Sequence, residues 1–265
     1  MNEIRDETST YARSKKLAEF LEKIRDETSR EIVIEWTNPG SNPKLSGVPG
    51  RFIYDPPPSR VLRVLMDSDI CQHLKHSDIE EVIAHEATHG LLIYAKGYGA
   101  PVFKRHANHI EEKSTSYLFS MIDDIVVNTI LQDAKYSPLG SVYLLMVKED
   151  RDSIRKGEIL YEEQPSDDPL LKNRWTVYRY VTAWSYLKYF MLEAHYRRPI
   201  RNFVRIFKKK CPKQLEMANQ IIEVVQRNNI KSPEGRNSAV NELLKLWGLE
   251  DLVRLETVSP NKEPP

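Results

Sequence analysis

Five consecutive residues, His85-Glu86-Ala87-Thr88-His89, combine two imidazoles and a carboxylate at a spacing that carries meaning on a helix. Residues four apart lie one turn above each other, with Cβ atoms about 5–6 Å apart, so both rings can reach one metal ion from the same face. Zinc takes nitrogen ligands at about 2.0–2.1 Å in a tetrahedral set, and a helical His pair fills two of its four positions without straining the backbone. Glu86 follows the first ring by one residue, about 100° around the helix. That position suits handling the proton of a water better than ligating from the same turn. Two ligands and a general base are the parts needed for metal-assisted hydrolysis.

A catalytic zinc keeps three protein ligands and one open position, so the chain must supply another donor. The candidates downstream are His106, His109, Glu111, Glu112, Asp123 and Asp124. Glu111 and Glu112 fall in the polar run His109 to Ser114, which reads as the solvated first turn of a helix, where the macrodipole favours acidic side chains. His106 and His109 read as loop histidines. Asp123 and Asp124 instead interrupt an apolar helix from Tyr117 to Gln132. An unpaired carboxylate there costs on the order of several kcal/mol or is protonated, a penalty that a metal ion removes. Asp124 shares a stripe with Tyr117, Met121 and Asn128, which puts Asn128 one turn on, placed to fix the Asp124 carboxylate. The expected third ligand is therefore Asp124, with Asp123 and then Glu112 as alternatives, against a salt bridge or cap hidden by the fold.

The elements that must position these groups are legible in outline. Ser77 and Glu80 form S-x-x-E, a capping box that would start the motif helix before Ile79, Val82 and Ile83. Gly97, Gly99 and Pro101 end it near Ala95. Upstream, residues 10–28 repeat apolar positions at helical spacing. Glu31 to Trp36, Arg51 to Tyr54 and Val61 to Met66 read as strands, separated by a Gly-, Pro- and Asn-rich loop from Thr37 to Gly50. A helix, strands and then the motif helix make a small mixed unit, whose sheet edge commonly borders the cleft where an extended peptide pairs. The segment Ile-Arg-Asp-Glu-Thr-Ser occurs twice, at Ile4 and at Ile24, without making a repeat architecture.

In this arrangement the chain resembles the zincin metallopeptidases of the gluzincin kind, with His85 and His89 as the first two ligands and Glu86 as the base. The metzincin extension is absent, because Leu92 stands where its glycine would be and Ala95 where its third His would be. Asp124-Ile125-Val126-Val127-Asn128 is also similar to the D-x-x-x-N helix of bacterial metallopeptidase-like domains, in the expected order after H-E-x-x-H. The resemblance implies an α+β fold with a zincin-like unit over residues 1–135, while the pattern of the remaining chain reads as a helical cap or partner-binding region over 136–258 and a disordered tail over 259–265.

In the second half, Asn173 to Tyr196 reads as one long helix with a core stripe of Val177, Tyr180, Val181, Trp184, Leu187 and Met191. Met217 to Val225 and Val240 to Trp247 read as further amphipathic helices, and 162–168 as an acidic surface loop. Arg197 to Lys213 holds eight Lys and Arg and no acid, yet Phe203, Ile206 and Phe207 give it an apolar face, so a solvated helix face is the expectation. Lys plus Arg number 39 against 38 Asp plus Glu, so overall charge names no partner. No stretch reads as a membrane span or leader, and Cys71 and Cys211 are too isolated for a disulfide framework, which points to a cytoplasmic protein. The function expected is Zn2+-dependent hydrolysis of a peptide or protein. The alternative is a non-catalytic metal-binding module whose helical half and basic segment engage a protein or nucleic acid. Oligomeric state is not readable.

Overall fold

The computed structural model describes residues 14–37, 48–56, 59–137, 141–157 and 168–258. Helix α1, Lys15–Thr28, starts at Ser14, whose hydroxyl accepts from the Leu17 N–H. Glu31–Thr37 (β1), Gly50–Ile53 (β2) and Val61–Asp67 (β3) form a sheet in the order β1-β3-β2, with β1 parallel and β2 antiparallel to β3. Period-two patterning makes β3 the centre: Leu62, Val64 and Met66 are buried in the same apolar cluster as Leu17, Leu21 and Ile24 of α1.

After a short turn of helix, Ser68–Cys71 (α2), comes the motif helix α3, His76–Tyr94. It packs on α1, β2 and β3. Gly90, directly after His89, permits this contact, because a Cβ there would stand 2.4 Å from Leu62 Cδ1 and 3.1 Å from Phe52 Cε2. The small residue brings the helix down onto the strands and fixes the height of both histidines above the sheet edge.

Strand β4, Ala100–Phe103, leads to α4, His109–Asp133, a 25-residue helix that runs through the middle of the molecule. Its start is a capping box in which Asn108 Oδ1 accepts from Glu111 N and Glu111 Oε2 accepts from Asn108 N, both at 3.0 Å. Tyr117 to Ile125 contribute to the apolar cluster of the helical half, while Val126, Val127 and Leu131 join that of the sheet unit. The helical half comprises α5 (Ser141–Lys156), α6 (Pro169–Tyr189), α7 (Ala194–Lys210), α8 (Pro212–Arg227) and α9 (Pro233–Leu246). Strand β5, Val253–Glu256, then pairs antiparallel with β4, tying the end of the described chain back to the segment just after the motif helix. The architecture is mixed α+β and mainly helical, with one small sheet and one two-stranded ribbon.

Several expectations are corrected. Ser77 and Glu80 do not cap α3, whose cap position is two residues earlier, at Lys75, without a side-chain cap. Glu80 instead accepts from Ser14 N and Ser14 Oγ at 2.6 and 2.7 Å, a tertiary contact that joins the starts of α1 and α3. The helix read over 173–196 is two helices. At Phe190 the backbone turns extended (φ −115°, ψ 144°), which carries that ring into the core against Tyr186 and leaves Met191 88% exposed instead of on the core stripe. The β4–β5 pairing joins segments about 150 residues apart and has no local signature. Most of the Thr37 to Gly50 loop, most of the acidic loop, the first copy of the hexapeptide and the 259–265 tail lie outside the described residues. Among the described residues, no helix is long and apolar enough to cross a membrane, and both cysteines are free.

Candidate metal centre

The centre forms where α3 crosses α4. Nε2 of His85 and Nε2 of His89 lie 3.2 Å apart, and Asp124 Oδ1 lies 3.5 Å from the first and 3.3 Å from the second. Among the described residues, these three side chains are the group of His, Cys, Asp and Glu whose donor atoms converge closely enough to hold one metal ion. Helical spacing sets the two rings one turn apart, edge to face, with centroids 4.9 Å apart.

The neighbours of Asp124 on α4 are used differently. Asp123, one position and about 100° away, faces α9. Its two carboxylate oxygens take a bidentate pair of hydrogen bonds from Nε and Nη2 of Arg236, each 2.7 Å long. Arg236 is fully buried and also donates to the Gly99 carbonyl at 2.7 Å. Asp123 is thus already neutralised and directed away from the histidines. Glu112 is exposed in the first turn of α4, about 18 Å along the axis from Asp124, although it lines the same cleft. Glu111 belongs to the capping box and to an ion pair with Arg105, while His106 and His109 are exposed.

Asn128 is one turn beyond Asp124 as anticipated, but it serves His85 instead of the Asp124 carboxylate. Its Nδ2 donates to the Tyr186 hydroxyl at 3.2 Å, which leaves Oδ1 to accept from His85 Nδ1 at 3.3 Å. A proton on Nδ1 keeps the Nε2 lone pair directed at the centre, the usual way a protein sets a ligating imidazole. The amide reaches across to α3 because the two helices pack closely at that turn.

Glu86 is held from the other side. Its Oε2 accepts from the backbone N–H of Phe52 at 2.7 Å. Pro49 O accepts from Asp67 N, so in the antiparallel register residues 49, 51 and 53 bond inward to β3, and Gly50 and Phe52 turn their backbone groups outward. Glu86 is therefore tethered to the outward edge of β2.

Electrostatics bind the three groups into one unit. Burial opposes a charge on His89, but the hydrogen bond to Asp124 and the charges of Glu86, Asp124 and Asp123 outweigh it and push its pKa up to about 9. Burial likewise works to raise Asp124, yet hydrogen bonds from His85 and His89 hold its carboxyl well below the usual carboxylate range. A site that recruits a proton in this way is one with spare negative potential for a cation. Near one end of the cleft Glu81 behaves oppositely: burial first, and then the charge of Asp78, push it up to about 7.

The centre opens into a cleft of about 490 Å³. One wall is β2, and the other includes Tyr143 and Met146 of α5 and Tyr178 and Tyr186 of α6. The Tyr143 and Tyr186 rings lie tilted against each other with centroids 4.4 Å apart, and among the described residues the buried Tyr143 hydroxyl meets no hydrogen-bond partner. Sequence reasoning missed the Phe52 tether, Arg236 and these tyrosines. Tyr178 and Tyr186 were in view only as part of an aromatic helix, with no local signal to separate a cleft-lining ring from a core one. Compared with family models, with curated proteins and with solved structures, the chain matches none.

Proposed function

We propose that the chain is a zinc-dependent hydrolase of the zincin kind that cleaves peptide bonds. The observation that carries the reading is the spacing of the three donors. A tetrahedral ion with bonds of about 2.0–2.1 Å has ligand atoms about 3.3 Å apart. The separations of 3.2, 3.3 and 3.5 Å between His85, His89 and Asp124 match one face of that tetrahedron and leave its fourth corner for water. Two imidazoles and one carboxylate suit zinc in donor type as well.

When bound, zinc supplies Lewis acidity, which polarises a carbonyl and makes water acidic enough to lose a proton near neutral pH. The chain's own groups do the rest. Glu86, fixed by the Phe52 N–H, takes the proton of the attacking water and returns it to the leaving amine. The outward Gly50 N–H and carbonyl and the outward Phe52 carbonyl offer an extended peptide an edge to pair with, while the Phe52 N–H stays on Glu86, which sets the scissile bond beside the base. The aromatic wall from α5 and α6 excludes water and accepts apolar side chains.

Glu86→Gln tests the reading. The variant should keep its metal and lose about 10²–10⁴-fold in turnover of an unstructured peptide, followed by mass spectrometry of the fragments. Full turnover by the variant would refute the assignment of the base.

A further inference from the structure

Helix α7 carries a surface that the hydrolytic centre does not use. At about 100° per residue, Arg197, Arg201, Arg205 and Lys208 fall within an ~80° sector, and Arg198 and Lys209 widen it to ~120°. All six are exposed. On the opposite side Ile200, Phe203 and Phe207 are fully buried, because α7 packs on α5, α6 and α8. Lys210 and Lys213 continue the charge past the end of the stripe.

Two features separate this stripe from an ordinary solvated face. Many arginines elsewhere pair with carboxylates, as at Arg63, Arg105, Arg179, Arg227 and Arg236. Among the described residues, none of the six cations on the stripe is in an ion pair. The charge is also segregated: the whole chain is close to neutral at +1, yet Arg197 to Lys213 contains no acid. Six like charges without a carboxylate partner among the described residues, along ~18 Å of helix, carry self-repulsion that an acid at any exposed position of α7 would relieve.

We propose that the α7 stripe binds the phosphodiester backbone of a nucleic acid, independently of sequence. Protein interfaces are depleted in Lys and centred on apolar or aromatic anchors. The exposed large apolar side chains, Phe103, Leu170, Met191 and Leu246, all lie outside α7. A helix lying on a membrane gives its apolar face to lipid, and here that face is spent in the core. A dense, regular polyanion met by flexible point charges remains. With cations recurring every ~6 Å, about four to six phosphates are neutralised at once.

The test is fluorescence anisotropy of the full chain with a labelled mixed-sequence DNA duplex and a single-stranded RNA, alongside polyglutamate and phosphatidylserine vesicles. Neutralising four to six phosphates predicts a log–log salt slope of about −4 to −5 on duplex, or roughly 10²–10³-fold weaker binding at 200 mM than at 50 mM salt. R201E/R205E/K209E should abolish binding. R201Q/R205Q/K209Q, the milder variant should charge reversal disturb folding, should cut the slope by about three units. Peptide turnover and metal content should stay unchanged in both, so failure here and failure of the hydrolase reading are separable. Absence of binding at 50 mM salt, equal binding by wild type and the Gln variant, or binding to polyglutamate or vesicles in place of nucleic acid would each overturn the proposal.

Discussion

Asp123 and Asp124 are consecutive on α4, and their surroundings differ in one respect that decides their chemistry. At the α4–α9 contact, Asp123 meets a permanent cation, Arg236, in a bidentate pair that occupies both carboxylate oxygens. At the α3–α4 crossing, Asp124 meets two imidazoles, which are cationic only when protonated. A buried carboxylate needs a counter-charge in either place. In the first the fold supplies it for good, and in the second it is left exchangeable between a proton and a metal. One turn of helix thus holds a structural acid and a candidate ligand side by side, distinguished by the helix each one faces.

The comparison can be broken at the closed side first, where the effect should be largest. Asp123→Ala strands the Arg236 charge in the core and should cost about 3–5 kcal/mol of unfolding free energy in urea titrations. In metal-free protein, Asp124→Ala should cost about 1 kcal/mol, because a histidine can give up its proton when its partner goes. Equal losses at the two positions would erase the distinction. Next in size, Asn128→Ala leaves His85 Nδ1 without its acceptor and should weaken metal binding about 10–100-fold with little change in melting of the metal-free chain. Competition against a chromophoric chelator measures this directly.

Glu81 sharpens the comparison from a third side, since it lines the same cleft and burial and the charge of Asp78 outweigh the Ser137 backbone hydrogen bond and the charge of Lys16. Its folded pKa of about 7 lies above the ordinary 4.5, so the folded chain binds the extra proton between those values and stability falls as pH rises through that window. Glu81→Gln should remove this dependence. The variant should be more stable than wild type by about 1 kcal/mol at pH 8, after allowance for solvent screening, with the gap closing toward pH 5. A constant difference across pH would show that Glu81 does not carry the titration.

What the sequence made legible follows from local periodicity. The His85–His89 pair is visible because 3.6 residues per turn stacks positions four apart, and Asp124 is visible because it breaks an apolar helix. Strands β1 and β3 show through their apolar runs with Ile and Val, and β2 as a short stretch bounded by turn residues. What was hidden depends on distant partners. Arg236 is 113 residues from Asp123, and nothing around it marks a buried arginine. Asn128 could be placed on the right face, but whether its amide turns to Asp124 or crosses to His85 is settled by how α3 and α4 pack against each other. The S-x-x-E at Ser77 has the right spacing for a cap and fails because Glu80 has a better donor pair in Ser14. The aromatic wall of the cleft arrives from α5 and α6, so half of the candidate site belongs to a region whose sequence reads as plain helical core.

The central claim is that His85, His89 and Asp124 together hold one zinc ion, and elemental analysis of protein purified without added metal tests it most directly. About one zinc per chain is expected, lost in His89→Ala and in Asp124→Ala and kept in Glu112→Ala and Asp123→Asn. Zinc retained by Asp124→Ala, or lost from Glu112→Ala or from a folded Asp123→Asn, would contradict the account.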